Sequence, residues 1–189
     1  MVNICGVDEA GRGPLAGPVI AAAVILPENF ELKGLRDSKK MTEGARERCY
    51  AVIVEQAIAW SVAMASVKEI DRINILRATQ QAMVHAVETL SVSPDIVWVD
   101  GRDLIDVVPP CRAIIGGDDQ HMVIAAASVL AKVTRDRHMV KLAQDYPEYG
   151  FERHKGYGTA AHLAALAAHG VTVHHRQSFS PVKRLLEAV

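Results

Sequence analysis

The sequence is poor in the features that mark specialised protein classes. Its 189 residues include only three cysteines, Cys5, Cys49 and Cys111, and none forms a C-x-x-C pair. That excludes a disulfide framework and a cysteine zinc site, and it fits a reducing cytoplasm. No charge sign dominates, because 21 Lys plus Arg stand against 22 Asp plus Glu for a formal charge of −1. A disordered tail needs low hydrophobicity with high net charge, and a bulk electrostatic coat for nucleic acid needs a basic excess. The first is excluded and the second is weakened, so nucleic-acid binding, if present, has to be local. The longest apolar run, Val19 to Leu26, is strand-sized and far below the ~18 residues of a membrane helix. The first residues show no basic region followed by an apolar stretch and a cleavage site, so no secretory leader is expected. Repeats and low-complexity tracts are also missing.

What is present is half apolar residues, enough for one compact domain with at most a small appendage. Periodicity gives five strands: Asn3 to Val7, Pro18 to Leu26, Trp60 to Ala65, Ile96 to Val99 and Arg112 to Ile115. A helix is expected over Thr42 to Ile58, capped by Thr42, with Ala45, Cys49, Val52 and Ile53 on its apolar face. A second runs from Asn74 to Leu90, capped by Asn74. A third, Gln120 to Gln144, carries a small-residue stripe (Ile124, Ala127, Ser128, Ala131) and a charged rim from Lys132 to Lys141, as a helix packed closely on a sheet would. After Tyr146-Pro147 the chain reads as loop-rich, with a short helix near Thr159 to His169 and a last one opened by Ser180-Pro181. Strands first and then strands interleaved with helices indicate an α/β layer with a mixed sheet.

Chemistry concentrates where strands finish. The first expected strand runs into Asp8-Glu9, the fourth into Asp100-Gly101, and the fifth into Gly116-Gly117-Asp118-Asp119. Ligands of α/β sheets bind beyond the carboxyl ends of strands, so these acids can meet in one crevice. Crowded carboxylates raise each other's pKa unless a hard cation with oxygen preference, Mg²⁺ or Mn²⁺, neutralises them. Taken singly, each acid is equally well read as a turn former. Gly11-Arg12-Gly13 can bring backbone N–H groups close to a sugar or phosphate, or can simply form a tight hairpin turn. A dinucleotide fingerprint fits it badly, because the third glycine is misplaced and a β-branched run follows instead of a helix. Among the basic groups, Arg153-His154-Lys155 stands out because Gly156-Tyr157-Gly158 follows it, putting one aromatic ring among cations. His174-His175 lacks partners at metal-ligand spacing and reads as a hydrogen-bonded or surface pair.

Taken in order, Asp8-Glu9-Ala10-Gly11-Arg12-Gly13-Pro14, Asp37-Ser38-Lys39, Asp100-Gly101, Gly117-Asp118, Ala125-Ala126-Ala127-Ser128 with Ala131-Lys132-Val133 and Arg135-Asp136, Lys155-Gly156-Tyr157-Gly158-Thr159, and Arg176-Gln177-Ser178-Phe179-Ser180-Pro181-Val182 resemble the bacterial ribonuclease HII family over nearly the whole chain. The resemblance implies a ribonuclease H-like α/β fold. Residues 1–145 would form the catalytic domain, with a five-stranded mixed sheet flanked by helices, and residues 146–189 a small helical annex. It implies a metal-dependent endonuclease that hydrolyses the RNA strand of RNA/DNA hybrids. It further implies incision 5′ to ribonucleotides embedded in duplex DNA, leaving 5′-phosphate and 3′-hydroxyl ends.

By matching position, Asp8, Glu9, Asp100 and Asp118 are implied as catalytic ligands of two ions, Mg²⁺ or Mn²⁺, while Asp119 and Asp136 fall outside the pattern. Gly11, Arg12 and Gly13 match the backbone reader of a ribose 2′-hydroxyl, Tyr157 a ring that packs on the following deoxyribose, and Lys39 and Lys132 phosphate contacts. The implied enzyme is a cytoplasmic monomer whose partners are hybrid and ribonucleotide-containing duplexes, with no membrane. The sequence points to no particular replication or repair partner. Two departures stand out: Gly116 where a lysine is common, and Met41 where a leucine is usual. The expected C-terminus is also short. A proofreading exonuclease of similar sheet type usually separates its first Asp and Glu by one residue, whereas here they are adjacent.

Overall fold

The computed structural model describes residues 2–187. A five-stranded sheet runs in the order β3-β2-β1-β4-β5, from β1 (Ile4–Ala10), β2 (Val19–Ile25), β3 (Ala59–Ala65), β4 (Ile96–Asp100) and β5 (Cys111–Ile114). The first three form an antiparallel meander, and β4 and β5 run parallel to β1. The mixed five-stranded sheet expected from periodicity is therefore present. The helices are α1 (Glu43–Gln56), α2 (Val67–Ile73), α3 (Ile75–Glu88), α4 (Gly117–Gln120), α5 (Met122–Asp145), α6 (Phe151–His154), α7 (Ala160–His169) and α8 (Ser180–Glu187).

Burial explains the layering. Every residue of β2 is buried, which is why its Val-Ile-Ala-Ala-Ala-Val-Ile run shows no alternation: both faces of the sheet are covered. Ala21, Ala23 and Ile25 pack toward α3, and Ala22 and Val24 toward α1 and α5. The edge strand β3 alternates buried and exposed positions. Small residues let α5 approach closely, and a Cβ on Gly6 of β1 would sit 2.3 Å from the Val123 carbonyl oxygen at the start of that helix.

Helix starts follow side-chain chemistry. Thr42 Oγ1 accepts from the Ala45 N–H at 3.3 Å, as expected of the α1 cap. Asn74 caps α3 by accepting from Arg77 N–H at 3.1 Å. The sequence reading passed over α2, although Ser66 and Glu69 form a reciprocal capping box there. The expected third helix is α5, starting two residues later than expected after the extended His121, with the short α4 ahead of it. Its rim is also not all solvated, since Arg135 is 1% and Asp136 7% exposed. Past Tyr146 the chain is more ordered than loop-rich, with a 3₁₀ turn at Pro147–Tyr149 and α6 ahead of α7. These segments bury Tyr149, Phe151, Leu166 and Val182 against Leu15, Ala16 and Met139. The expected annex extends to 189, and residues 188 and 189 lie outside the described residues.

Candidate active site

β4 finishes in Asp100 and β5 is followed by Asp118 as the sequence suggested, whereas β1 runs on through its two acids. Hydrogen bonding carries β1 through Asp8 and Glu9 to Ala10, with Asp8 opposite Ala22 and Glu9 opposite Ala21. Asp100 is the last residue of β4, one place beyond the paired Val7 and Val99. Asp118 lies in the first turn of the short α4. Parallel register therefore sets Asp100 beside Asp8, and α4 brings Asp118 to them. One carboxylate oxygen from each of Asp8, Asp100 and Asp118 lies within 4.8 Å of the others. Successive strand residues face opposite ways, so Glu9 adjoins this trio without being within that distance of all three. Its Oε1 lies 3.8 Å from Arg12 Nη1.

The trio is electrostatically unsatisfied. Asp8 is 2% exposed, its Oδ1 accepts from the Glu9 N–H at 2.7 Å, and its buried Oδ2 has no hydrogen-bond partner. Burial lifts the Asp8 carboxyl well above its ordinary value, and the charges of Glu9 and Asp100 add to this. Burial also raises Glu9, against the pull of Arg12. Burial, followed by Asp100 and Asp37, pushes Asp118 up to about 6. Asp100 Oδ1 is fixed by the Gly117 N–H at 2.8 Å. Lys39 faces the same group. Its own desolvation is outweighed by Asp8, Asp37, Asp118 and Glu9, which raise its pKa. Asp37 positions this lysine by accepting from its N–H at 2.9 Å. An enclosed carboxylate oxygen without a donor, beside other carboxylates brought within 4.8 Å, fits a hard divalent cation.

The residues expected to meet substrate converge. Gly11, Arg12, Gly13, Lys39, Lys132 and Tyr157 line one cleft of about 450 Å³ together with Glu9. Tyr157 is 42% exposed there, and a Cβ on Gly13 would meet its ring at 3.6 Å. Lys132 is engaged, donating to Asp136 Oδ1 at 2.7 Å, and Asp136 also sits 3.8 Å from Arg46. Asp119 pairs with Lys40. Both acids set apart by the sequence reading are thus committed to ion pairs. Met41 is 7% exposed and fills the core beneath α1, and Gly116 stands just ahead of α4.

Two buried arginines, quoted in the sequence motifs without a role, build the Gly11–Pro18 loop. Arg176 donates to Gly11 O at 2.6 Å, to Arg12 O at 2.9 Å and twice to Gly17 O, at 3.0 and 2.8 Å. Arg135 donates to Pro18 O at 3.0 Å, Ala16 O at 3.1 Å and Lys155 O at 2.9 Å. The loop is therefore no tight hairpin, because its carbonyls turn inward onto guanidinium groups. Gly11 is required at its position. Its φ is 98°, and a Cβ would fall 2.0 Å from Arg135 Nε. No helix follows the glycines, which removes the dinucleotide reading. His174-His175 is no metal pair, since His175 is enclosed and bonded to His162.

The family model for ribonuclease HII matches residues 5–182. The chain is 58% identical over 186 residues to ribonuclease HII of Thiobacillus denitrificans, covering 98% of this chain and 91% of that protein. Its fold matches the crystal structure of ribonuclease H2 from Pyrococcus horikoshii OT3 with a TM-score of 0.83 at 27% identity, over 99% of this chain and 98% of that one. Bst-RNase HIII in complex with Mn²⁺ shares the fold with a TM-score of 0.72 at 18% identity, over 99% of this chain and 70% of that one. Strand order, acid cluster and full-length identity agree, and the chain belongs to the ribonuclease HII family of metal-dependent ribonuclease H enzymes.

Proposed function

We propose that the protein incises duplex DNA 5′ to embedded ribonucleotides and hydrolyses the RNA strand of RNA/DNA hybrids, leaving 5′-phosphate and 3′-hydroxyl ends. The observation that carries this reading is the carboxylate trio, with its enclosed and unpartnered Asp8 Oδ2, at the edge of a cleft whose lining is rich in glycine and cations. Asp8, Glu9, Asp100 and Asp118 hold two divalent cations, Mg²⁺ or Mn²⁺. Such ions, when bound, activate the attacking water and neutralise charge on the leaving oxygen.

The chain's own residues supply selectivity. Among the described residues every peptide is trans, so a carbonyl and the following N–H point in opposite directions. With the carbonyls of Gly11 and Arg12 drawn to Arg176, the N–H groups of Arg12 and Gly13 point away from it, free to read a 2′-hydroxyl. DNA would leave those groups unpaired in a dry contact, which discriminates strongly. Tyr157 packs on the deoxyribose that follows. Lys39 and Lys132 meet phosphates and position the strand without reading bases. Residues 146–187 act as an annex packed on the catalytic domain through Tyr149, Phe151, Leu166 and Val182. The protein works as a monomer in the cytoplasm, and its three free thiols fit a reducing compartment.

Asp8→Asn tests the ligand assignment. It keeps the shape, relieves repulsion, and should reduce turnover by at least about 10³-fold while hybrid binding in Ca²⁺ stays within about threefold. Wild-type turnover in the purified variant refutes the assignment.

A further inference from the structure

Three histidines under the Tyr157 turn have no part in the chemistry above, and their hydrogen bonds have a direction. His162 Nδ1 lies 2.9 Å from Tyr157 O. A carbonyl only accepts, so this nitrogen carries the proton, and in the neutral ring Nε2 is then bare. The Thr172 N–H donates to His175 Nδ1 at 3.0 Å, which places the His175 proton on Nε2. The two Nε2 atoms are 3.0 Å apart, one with a proton and one without. His154 follows the same logic. Its Nε2 donates to Tyr149 O at 2.8 Å, and its Nδ1 accepts from the Gly156 N–H at 3.3 Å. Its ring stacks on His162 with centroids 4.6 Å apart. The turn is tied to the glycine loop by Leu15 N–H donating to Gly156 O at 2.8 Å.

We propose that His162 and His175 are positioning residues for Tyr157: a proton-ordered chain of neutral imidazoles, running from Thr172 to the Tyr157 carbonyl, fixes where that ring stands in the cleft. The proposal deepens the substrate reading above and rests on it, since it needs Tyr157 to touch substrate. A second proton on His162 would set N–H against N–H, and one on His175 would set Nδ1–H against the Thr172 N–H. Either breaks the chain. Both rings are essentially fully buried, at 0% and 1% exposed. Burial, followed by His162 and His174, pushes His175 down to about 4, and burial also lowers His162. The groups bearing on the pair are His154, His174 and the Tyr149 phenol, with Arg176 next in the chain. Asp145 bears on His174. The chain thus holds through neutral pH and fails in acid.

Two measurements on the full-length protein test this. Long-range ¹⁵N NMR at pH 7 should show both chain rings neutral, with protons on His162 Nδ1 and His175 Nε2. A doubly protonated ring or the opposite tautomers would overturn the chain whatever the enzyme does. In kinetics on duplex DNA with one ribonucleotide, His162→Met should raise KM about tenfold, the scale of one lost orienting contact, and should add nothing in a Tyr157→Ala background. An equal loss in both backgrounds overturns the positioning role alone. Wild-type kinetics in Tyr157→Ala overturns the substrate reading beneath it. His175→Gln, which keeps a donor toward His162 and cannot itself gain a proton, should show a smaller rise in KM below about pH 5 than wild type. An acid rise matching wild type overturns the proposal even if His162→Met fails to fold.

Discussion

Arg176→Met removes the cation on which the glycine loop is built. Arg176 is fully buried, and burial, followed by the charge of Arg135, lowers it to about 9. Each pKa unit is about 1.4 kcal/mol, so holding the guanidinium charged there costs about 5 kcal/mol. Against this stand four donations to carbonyls, each worth about 1.5–3 kcal/mol when the donor is charged. Methionine removes the burial penalty together with all four bonds, and it leaves Gly11, Arg12 and Gly17 with enclosed carbonyls. We expect a net loss of about 3 kcal/mol, read as a shift of the urea midpoint at unchanged slope. Arg176→Lys should recover less than about 1 kcal/mol, because an ammonium cannot reproduce the fork. In a fraction kept folded at low temperature, discrimination between a ribonucleotide and all-DNA should fall. Wild-type stability in the lysine variant would refute the reasoning, since charge alone would then suffice.

Further outcomes follow from the same groups. Asp118 rises from 3.8 to about 6 in the fold, so the native state holds its proton longer than the unfolded chain. Its stabilising effect is full below about pH 4 and is lost as pH rises through 6. In chelator at pH 7, Asp118→Asn should therefore be more stable than wild type by about 1 kcal/mol, the shift being discounted for solvent screening, and lose the stabilisation that Mg²⁺ or Mn²⁺ gives wild type; equal melting with an intact metal response contradicts this. His175 is lowered from 6.5 to about 4, so its effect has the opposite sense. Stability is full above 6.5 and falls by about 3 kcal/mol as pH drops toward 4, and it should show in the difference between wild type and His175→Gln because the Asp118 effect masks it in wild type alone. A pH-independent difference would count against it. Gly11→Ala forces a strained backbone and a clash with Arg135 Nε. It should cost about 3 kcal/mol, and an unchanged denaturation curve would show that the loop adapts freely.

Local signals carried most of the architecture. The uniform apolar run of β2 announced a strand, and Thr42 and Asn74 capped the helices assigned to them. The motif order brought Gly11, Arg12, Gly13, Lys39, Lys132 and Tyr157 to one cleft. The Ser66-Val67-Lys68-Glu69 box marks the start of α2 locally, while a helix of seven residues is too short for periodicity to register. The acids were read as following β1 because polar residues commonly end strands, yet β1 pairs through both of them. Other features could not be seen in one dimension. Arg176 bonds carbonyls more than 150 residues away, and no local pattern marks an arginine as buried. His162 and His175 are 13 residues apart, and their meeting depends on how α7 folds back over the β1–β2 loop.

The most direct test of the account is cleavage of an end-labelled DNA duplex carrying one internal ribonucleotide, beside an all-DNA duplex and an RNA/DNA hybrid, with Mg²⁺, with Mn²⁺ and with chelator. The account predicts a single metal-dependent cut at the 5′ side of the ribonucleotide, a cut hybrid and an intact all-DNA duplex. An uncut ribonucleotide duplex in the presence of either ion, or equal cutting of all-DNA, would contradict it.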